Sequence, residues 1–232
     1  MCGRFVLHHN SAQVAQRFGA QKVLFEFGAR YNIAPSQPVA AITQNGERQL
    51  TAFQWGLVPF WAKDTSMGNR LINARAETLA EKAAFKYALR KRRCLIPADG
   101  FYEWQKQENG DKQPLYIRRN DGELFAFAGL WEEWSAPDGS PLQTCTIITS
   151  EPNEFLKPVH HRMAVILRPE EEAAWLDPSL QSVNDLMRVL QPREDEALEM
   201  FPVSKKVGSP AYDAPDCIAP IADESEPTLP GF

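Results

Sequence analysis

The chain has 232 residues, of which 44% are hydrophobic, so it has enough apolar material to bury a core and is not expected to be disordered. Its net charge of −5 is unevenly distributed, because residues 1–168 carry 21 lysines and arginines against 16 aspartates and glutamates, whereas residues 169–232 carry 4 against 14. No apolar run is long enough for a secretory signal or a membrane span, and we therefore expect a cytoplasmic protein with no membrane partner.

Four helices are predicted, in chain order, from capping residues and apolar spacing. Residues 11–20 begin with a serine suited to capping, and residues 76–93 have the pattern of a long amphipathic helix. Residues 169–178 begin with a proline and three acids, which suit a first turn, and residues 182–192 end at a proline.

Short apolar runs, separated by turn sequences such as QNGE, ENGD, NDGE and PDGS, predict the strands. The runs are, in chain order, 38–43, 49–59, 93–104, 114–119, 124–134, 144–149 and 163–167. We therefore predict a single α+β domain over residues 1–232, in which a curved or barrel-like, mostly antiparallel β-sheet core is flanked by helices. From about Gly208 the chain is acidic and rich in proline, and there we expect a partly irregular and mobile tail.

The four cysteines are far apart in the sequence and form no CxxC pair, which argues against both a zinc site and a disulfide framework. Cys94 and Cys145 lie in apolar settings and are expected to pack in the core as free thiols. His8 and His9 are assigned to the surface, because no third metal ligand lies at a suitable spacing. We therefore expect neither a metal nor a cofactor.

Cys2 has chemistry that its position alone provides. Removal of the initiator methionine would leave an α-amine that titrates at about 7.7–8.0 beside a thiol that titrates at about 8.5. Such a 1,2-aminothiol condenses with an aldehyde to an imine, and its sulfur then closes a stable thiazolidine ring. Gly3 lets a ligand approach closely, Arg4 offers a phosphate-binding fork, and the apolar residues 5–7 anchor the segment as a strand.

Three polar residues lie in otherwise apolar surroundings, where burial without a partner would be costly. Asn73 precedes the predicted long helix, Glu103 lies within a predicted strand, and His160 leads into another. Each also has an ordinary explanation, as a turn residue, a solvent-facing carboxylate and a hydrogen-bonded histidine respectively. Taken one at a time, the ordinary explanations are favoured.

Seven ordered motifs connect these residues. They are Met-Cys-Gly-Arg-Phe at the start, RYNIAPSQ at 30–37, WGLVPFWA at 55–62, INARAET at 72–78, RRCLIPADGFYEW at 92–104, HHRMAVIL at 160–167 and PVSKKV at 202–207. Together they resemble the SOS response-associated peptidase (SRAP) family over nearly the whole chain. Two departures, Ala164 in place of a usual proline and Gly208 in place of a usual asparagine, concern local rigidity rather than chemistry.

The resemblance implies a function and a set of site residues. It implies that the protein captures the aldehyde of abasic sites in single-stranded DNA by a covalent crosslink and shields them. The implied active-site residues are Cys2 as the crosslinking nucleophile, Asn73 and Glu103 as polar groups, and His160 as the histidine. The implied DNA-binding residues are Arg4, Arg75 and Arg162 as phosphate contacts, Phe60 and Trp61 as an aromatic wedge on which a base can stack, and Asn32 and Pro35 as the pocket floor.

For the reaction, we expect Glu103 and His160 to move protons as the sugar opens to its aldehyde. The imine could also undergo β-elimination, which would give a weak lyase activity in competition with ring closure by sulfur. Two alternatives stay open. An N-terminal-nucleophile peptidase would use Cys2 to attack an amide, and a non-catalytic DNA-binding module would not need Cys2 at all.

Overall fold

Two β-sheets form the centre of the molecule, for which a computed structural model describes residues 2–192 and 197–221. The strands of these residues are β1 (Phe5–Leu7), β2 (Lys22–Val23), β3 (Arg30–Ile33), β4 (Pro38–Asn45), β5 (Glu47–Trp55), β6 (Asn73–Arg75), β7 (Arg93–Ala98), β8 (Gly100–Lys106), β9 (Lys112–Arg119), β10 (Phe125–Ser135), β11 (Pro141–Ser150), β12 (Met163–Ala164), β13 (Ile166–Leu167) and β14 (Leu198–Pro202). The α-helices there are α1 (Ser11–Phe18), α2 (Lys86–Lys91), α3 (Pro169–Leu176) and α4 (Val183–Val189), and short 3-10 helices cover Thr65–Arg70, Ala76–Thr78, Lys205–Gly208 and Pro215–Ile218.

The first sheet has the strand order β14-β9-β8-β1-β3, and the second has the order β12-β11-β10-β7-β4-β5-β2, with β13 pairing to β10 and β6 to β11. Most pairs are antiparallel, while β2 pairs in parallel with β5, and β11 pairs in parallel with both β5 and β6. The predicted α+β fold with a mostly antiparallel sheet core is therefore confirmed. Cys94 on β7 and Cys145 on β11 are fully buried, as expected.

Aromatic rings join the two sheets. The Phe5 ring of β1 meets Trp55 of β5 edge-on, with the ring centroids 5.3 Å apart, and meets Phe127 of β10 at 6.0 Å. Phe101 of β8 lies 5.8 Å from the same Phe127 ring. All four rings are buried, so the strand that follows Cys2 is anchored in the core by hydrophobic burial worth roughly 1.5–3 kcal/mol per side chain.

The predicted strand at residues 163–167 is divided by a change of partner. β12 pairs with β11, whereas β13 pairs with β10. Val165 makes the transition, because its amide donates to the Ile148 carbonyl at 2.9 Å and its carbonyl accepts from the Ala128 amide at 2.9 Å.

The predicted helices at 11–20, 169–178 and 182–192 are found as α1, α3 and α4. The cap of α1 is Asn10 rather than the serine, which is the first helical residue. The Asn10 side chain accepts from the Gln13 amide at 3.0 Å, and the Gln13 side chain accepts from the Asn10 amide at 3.0 Å, so both groups are satisfied at once. No helix in the described parts of the chain has the length and apolarity of a membrane span.

The prediction of one long helix over residues 76–93 is wrong. The segment contains the 3-10 helix Ala76–Thr78, turns, and α2, and β7 begins at Arg93. Leu79 and Phe85 are both buried in the core. Six residues apart on a continuous α-helix, they would point about 120° away from each other, so the chain breaks into turns to bury both.

The segment after Gly208 packs against β3 as far as the structure describes it. The Asn32 side chain donates to the carbonyls of Ser209 at 3.0 Å and Tyr212 at 2.6 Å, and Cys217 is fully buried. Apart from one 3-10 helix, residues 209–221 are irregular. The rest of the predicted tail, residues 222–232, lies outside the described residues.

Candidate active site around Cys2

The pairing of β1 with β8 brings Cys2 to Glu103. Phe5 is the partner of Phe101, and the Tyr102 amide donates to the Arg4 carbonyl at 3.0 Å. Continuing this antiparallel register toward the amino terminus pairs Arg4 with Tyr102 and Gly3 with Glu103, so Glu103 faces the residue next to Cys2. Both side chains are buried, and the charge of Glu103 acts on the Cys2 thiol.

Asn73 connects this pair to the second sheet. Its side-chain nitrogen donates to the Cys2 carbonyl at 2.8 Å, across 71 residues of sequence. β6 holds Asn73 opposite Ile147 of β11, and the Trp55 indole nitrogen fixes the preceding residue by donating to the Ile72 carbonyl at 2.8 Å. The Asn73 Oδ1 atom is buried and has no hydrogen-bond partner among the residues that the structure describes, so it can accept from a bound molecule.

The end of β11 brings the remaining predicted residues to the same place. β6 lies on one side of it, with Arg75 opposite Thr149, and β12 lies on the other, with Ala164 opposite Thr149. Arg162, just before β12, donates from Nη2 to the Thr149 carbonyl at 2.7 Å. The Arg162 amide in turn donates to Nδ1 of His160 at 2.9 Å, which orients the imidazole.

Arg162 has a partner that the sequence did not indicate. Its two terminal nitrogens lie 2.8 and 2.9 Å from the two carboxylate oxygens of Glu77. The Arg162 side chain is 10% exposed, while that of Glu77 is 47% exposed. Burial opposes ionisation of Glu77, but the hydrogen bonds from Arg162, a backbone hydrogen bond and the charges of Arg162 and Arg75 together outweigh it and lower the Glu77 pKa. A phosphate that approaches Arg162 therefore meets a guanidinium already engaged by a carboxylate.

The protonation states follow from burial. Burial raises the pKa of the Cys2 thiol, and the nearby charge of Glu103 raises it further. Burial also raises the pKa of Glu103. For His160, burial lowers the pKa, and the neighbouring charge of Arg162 acts in the same direction. The site therefore combines a neutral thiol, a carboxyl group that can hold a proton nearer to neutral pH, and a neutral imidazole.

Three of the predicted DNA contacts are exposed. Arg75 lies at the surface, and Phe60 and Trp61 are 56% and 48% exposed. The Phe60 ring meets Tyr87 at 6.1 Å, and the Trp134 indole nitrogen pins the loop by donating to the Ala62 carbonyl at 2.7 Å. A held loop with two exposed aromatic rings is suited to stacking on bases.

Arg4 and Asn32 are not brought to this surface. Arg4 is 9% exposed and donates from Nη1 to Asn32 Oδ1 and to the Val207 carbonyl, both at 2.7 Å. Asn32 is fully buried against the same segment. Pro35 is half-buried in the following turn, where Ser36 has a positive φ of 69°. These contacts support a structural function for Arg4 and Asn32, and direct DNA contact by them stays a prediction.

The assignment of His8 and His9 to the surface, made because no third metal ligand lies at a suitable sequence spacing, is wrong. Both histidines are half-buried rather than at the open surface, and Asp99 lies beside them. The sequence could not indicate this neighbour, because it is 90 residues away and joins the histidines only through the pairing of β1 with β8.

A family model described as "SOS response associated peptidase (SRAP)" matches residues 1–210. Abasic site processing protein YoqW of Bacillus subtilis is 44% identical over 221 residues, which cover 94% of this chain and 99% of the relative. Abasic site processing protein HMCES of Gallus gallus is 36% identical over 201 residues, which cover 76% of this chain and 59% of the relative. The fold also resembles the X-ray structure of a protein from Bacteroides thetaiotaomicron, with a TM-score of 0.86 at 28% identity over 95% of this chain and 100% of the other.

Proposed function

This chain belongs to the SRAP family, and we propose that it processes abasic sites in DNA by forming a covalent bond between Cys2 and the aldehyde of the damaged sugar. The names of the bacterial and vertebrate relatives support this substrate class. The observation that carries the proposal is the position of Cys2, whose carbonyl is held by Asn73 and whose thiol lies in the field of Glu103. Nucleophile, acid and orienting amide thus meet at one place.

The α-amine is the first nucleophile. Once Met1 is removed, an amine with a pKa of about 7.7–8.0 is partly unprotonated at neutral pH. The Cys2 thiol stays protonated under the same conditions, because burial and Glu103 raise its pKa. The amine nitrogen therefore attacks C1′ of the open sugar, and the carbonyl oxygen leaves as water after accepting protons.

Glu103 and His160 move those protons. An abasic deoxyribose is mostly a closed hemiacetal, so a base must remove the hydroxyl proton as an acid protonates the ring oxygen. Glu103 is suited to act as the acid because burial raises its pKa, and His160 to act as the base because burial lowers its pKa. Oδ1 of Asn73, which lacks a partner within the described residues, can accept from a sugar hydroxyl.

The Cys2 thiol then determines whether the imine closes to a ring or undergoes elimination. The thiol adds to the imine carbon, its proton passes to the nitrogen, and the product is a thiazolidine with the loss of one water overall. If the imine persists instead, loss of a C2′ proton expels the 3′ phosphate and cuts the strand. Because the thiol is on the same residue as the amine, ring closure is intramolecular and favoured over elimination.

Single-stranded DNA is the form that the surface fits best. Exposed Phe60 and Trp61 can stack on unpaired bases, and Arg75 can contact the backbone. Residues 1–168, which contain these groups, have a positive charge balance, so phosphate meets a local positive field despite the net charge of −5.

A peptidase reaction is less well supported by the same site. It would need the Cys2 sulfur as a thiolate, whereas burial raises the thiol pKa. The experiment that separates the two is incubation of Met1-free protein with a single-stranded oligonucleotide that contains one abasic site. We expect a species with the summed mass minus one water, stable in denaturing electrophoresis. Absence of any joined species would refute the proposal.

A further inference from the structure

We propose that His8, His9 and Asp99 form a binding site for a divalent transition-metal ion of the Zn²⁺ type, a site independent of the DNA reaction. One ring nitrogen of each histidine and a carboxylate oxygen of Asp99 lie within 4.8 Å of one another. Neighbouring residues of an extended strand point to opposite sides, but the chain bends at His9, directly after β1, so both rings turn toward Asp99. Imidazole and carboxylate are ligands that Zn²⁺ accepts readily.

The carboxylate of Asp99 is held in position for this task. Asp99 is 4% exposed, and its Oδ2 atom accepts from the His8 amide at 2.6 Å and from the His9 amide at 3.2 Å. The other oxygen, Oδ1, is thereby directed at the two rings. Backbone hydrogen bonds to the second oxygen of a ligating carboxylate are the usual way in which a protein orients such a ligand.

The distances require one small movement. Ligand atoms about 2.0–2.2 Å from a tetrahedral Zn²⁺ lie about 3.3 Å from each other. The separation of 3.5 Å between His8 Nε2 and Asp99 Oδ1 already fits, whereas His9 Nδ1 lies 2.5 Å from the same oxygen and must move outward. The His9 side chain is 28% exposed and lines a surface cavity of about 320 Å³ with Gln13 and Glu123, so it has room to turn.

The surrounding charges permit a cation. Arg118 is the positive group that acts on His8, but its Nε atom is 2.7 Å from the carboxylate of Glu199, which offsets its charge. Arg17, which lines the same cavity, is paired with Glu172 at 2.9 Å.

An ion at this place would stabilise the fold. Asp99 lies between β7 and β8, and the histidines follow β1, so the ion would join β8, which carries Glu103, to β1, the strand that follows Cys2. A ligand that binds only the folded state raises the melting temperature in proportion to the logarithm of its concentration above Kd. Mg²⁺ prefers oxygen ligands in octahedral geometry and should have no such effect.

The test uses the full chain without a histidine tag and with Cys2→Ala, because the aminothiol of Cys2 could itself chelate the ion. Zn²⁺ is titrated calorimetrically, and Co²⁺ is followed by visible absorption. We expect one ion per chain, and we expect His9→Gln and His8→Gln to weaken binding by about 10–100-fold. His161→Gln is the matched control, since His160 and His161 also form a stacked pair, with centroids 4.3 Å apart, and should leave binding unchanged.

Asp99→Asn tests the carboxylate while preserving the fold, because an amide oxygen can still accept from the two backbone amides. We expect it to abolish the Zn²⁺-induced rise in melting temperature and to leave the circular dichroism spectrum unchanged. No binding to the parent protein, or equal binding to the parent and His9→Gln, would overturn the proposal and leave the cluster as a hydrogen-bonded structural group. Because the DNA adduct is measured separately, failure here leaves the proposed function untouched.

Discussion

The carboxylate of Glu77 holds both terminal nitrogens of Arg162, at 2.8 and 2.9 Å, at the edge of the candidate active site. The third contact of this guanidinium is the Thr149 carbonyl. In this arrangement Glu77 occupies the atoms that a phosphate would use. DNA binding through Arg162 therefore has to displace a carboxylate, and Glu77 sets how readily that happens.

Glu77→Gln should bind single-stranded DNA more tightly than the parent. Removing one partly exposed negative charge beside Arg162 should make the free energy of DNA binding more favourable by about 0.2–1 kcal/mol, which lowers Kd by about 1.4–5-fold. Fluorescence anisotropy with an intact oligonucleotide measures the change. The gain should vanish in an Arg162→Ala background, since the two residues act as a pair. An equal gain in both backgrounds would show that Glu77 repels DNA independently of Arg162.

Cys2→Ala should lose the stable adduct and retain strand cleavage. The α-amine still forms the imine, but no sulfur closes the ring, so elimination proceeds. Denaturing gels with an abasic oligonucleotide report both products. An amino-terminal extension that blocks the amine should abolish both, and a full-strength adduct from Cys2→Ala would contradict the scheme.

Glu103→Gln should raise stability and slow the reaction. Because burial raises the folded-state pKa of Glu103 above its ordinary value of 4.5, the unfolded chain loses this proton first as the pH rises. Folding stability contributed at this position is therefore lost as the pH increases from about 4.5 through the raised folded pKa. Glutamine has the same shape and does not titrate.

Thermal melts at pH 4 and pH 8 test this directly. We expect a small difference between Glu103→Gln and the parent at pH 4, and a clear advantage of the variant at pH 8. Crosslinking should slow by about 100-fold, the smaller end of the usual general-acid contribution. A variant less stable than the parent at pH 8 would show that the carboxylate is stabilised there by its surroundings.

Arg75→Ala should weaken binding to abasic and intact single strands alike. If Arg75 contacts one phosphate, the slope of log K against log salt should become shallower by about 0.7. Arg188→Ala on α4, whose side chain is 81% exposed, is the matched control and should leave the slope unchanged. A loss confined to abasic DNA would instead assign Arg75 to the reacting sugar.

Sequence motifs predicted where the chemistry lies, but not how its parts are connected. The strands were predictable from short apolar runs and the turn sequences between them. That Cys2 and Asn73 share a site was predictable from the family resemblance. The Glu77–Arg162 pair spans 85 residues and depends on β6 and β12 both pairing with β11, which no local pattern specifies. The same reason explains why Asp99 could not be assigned to His8 and His9.

Helix propensity led to a wrong prediction where the burial of apolar side chains conflicted with it. Residues 76–93 contain strong helix formers, yet Leu79 and Phe85 can both reach the core only if the helix is interrupted. Arg4 shows the opposite limitation. Its sequence context suits a phosphate contact, but the folded chain surrounds it with Asn32 and the carbonyls of Val207 and Gly208.

The Asn73 side chain donates a hydrogen bond to the main-chain carbonyl of Cys2, and not to its sulfur. Any residue whose side chain fits the buried space around position 2 can offer the same carbonyl, so the docking of the terminus is separable from the reactivity of the side chain. Position 2 could therefore accept selenocysteine or a homologue with one more methylene by semisynthesis, and ring size and heteroatom could be varied while the scaffold stays constant.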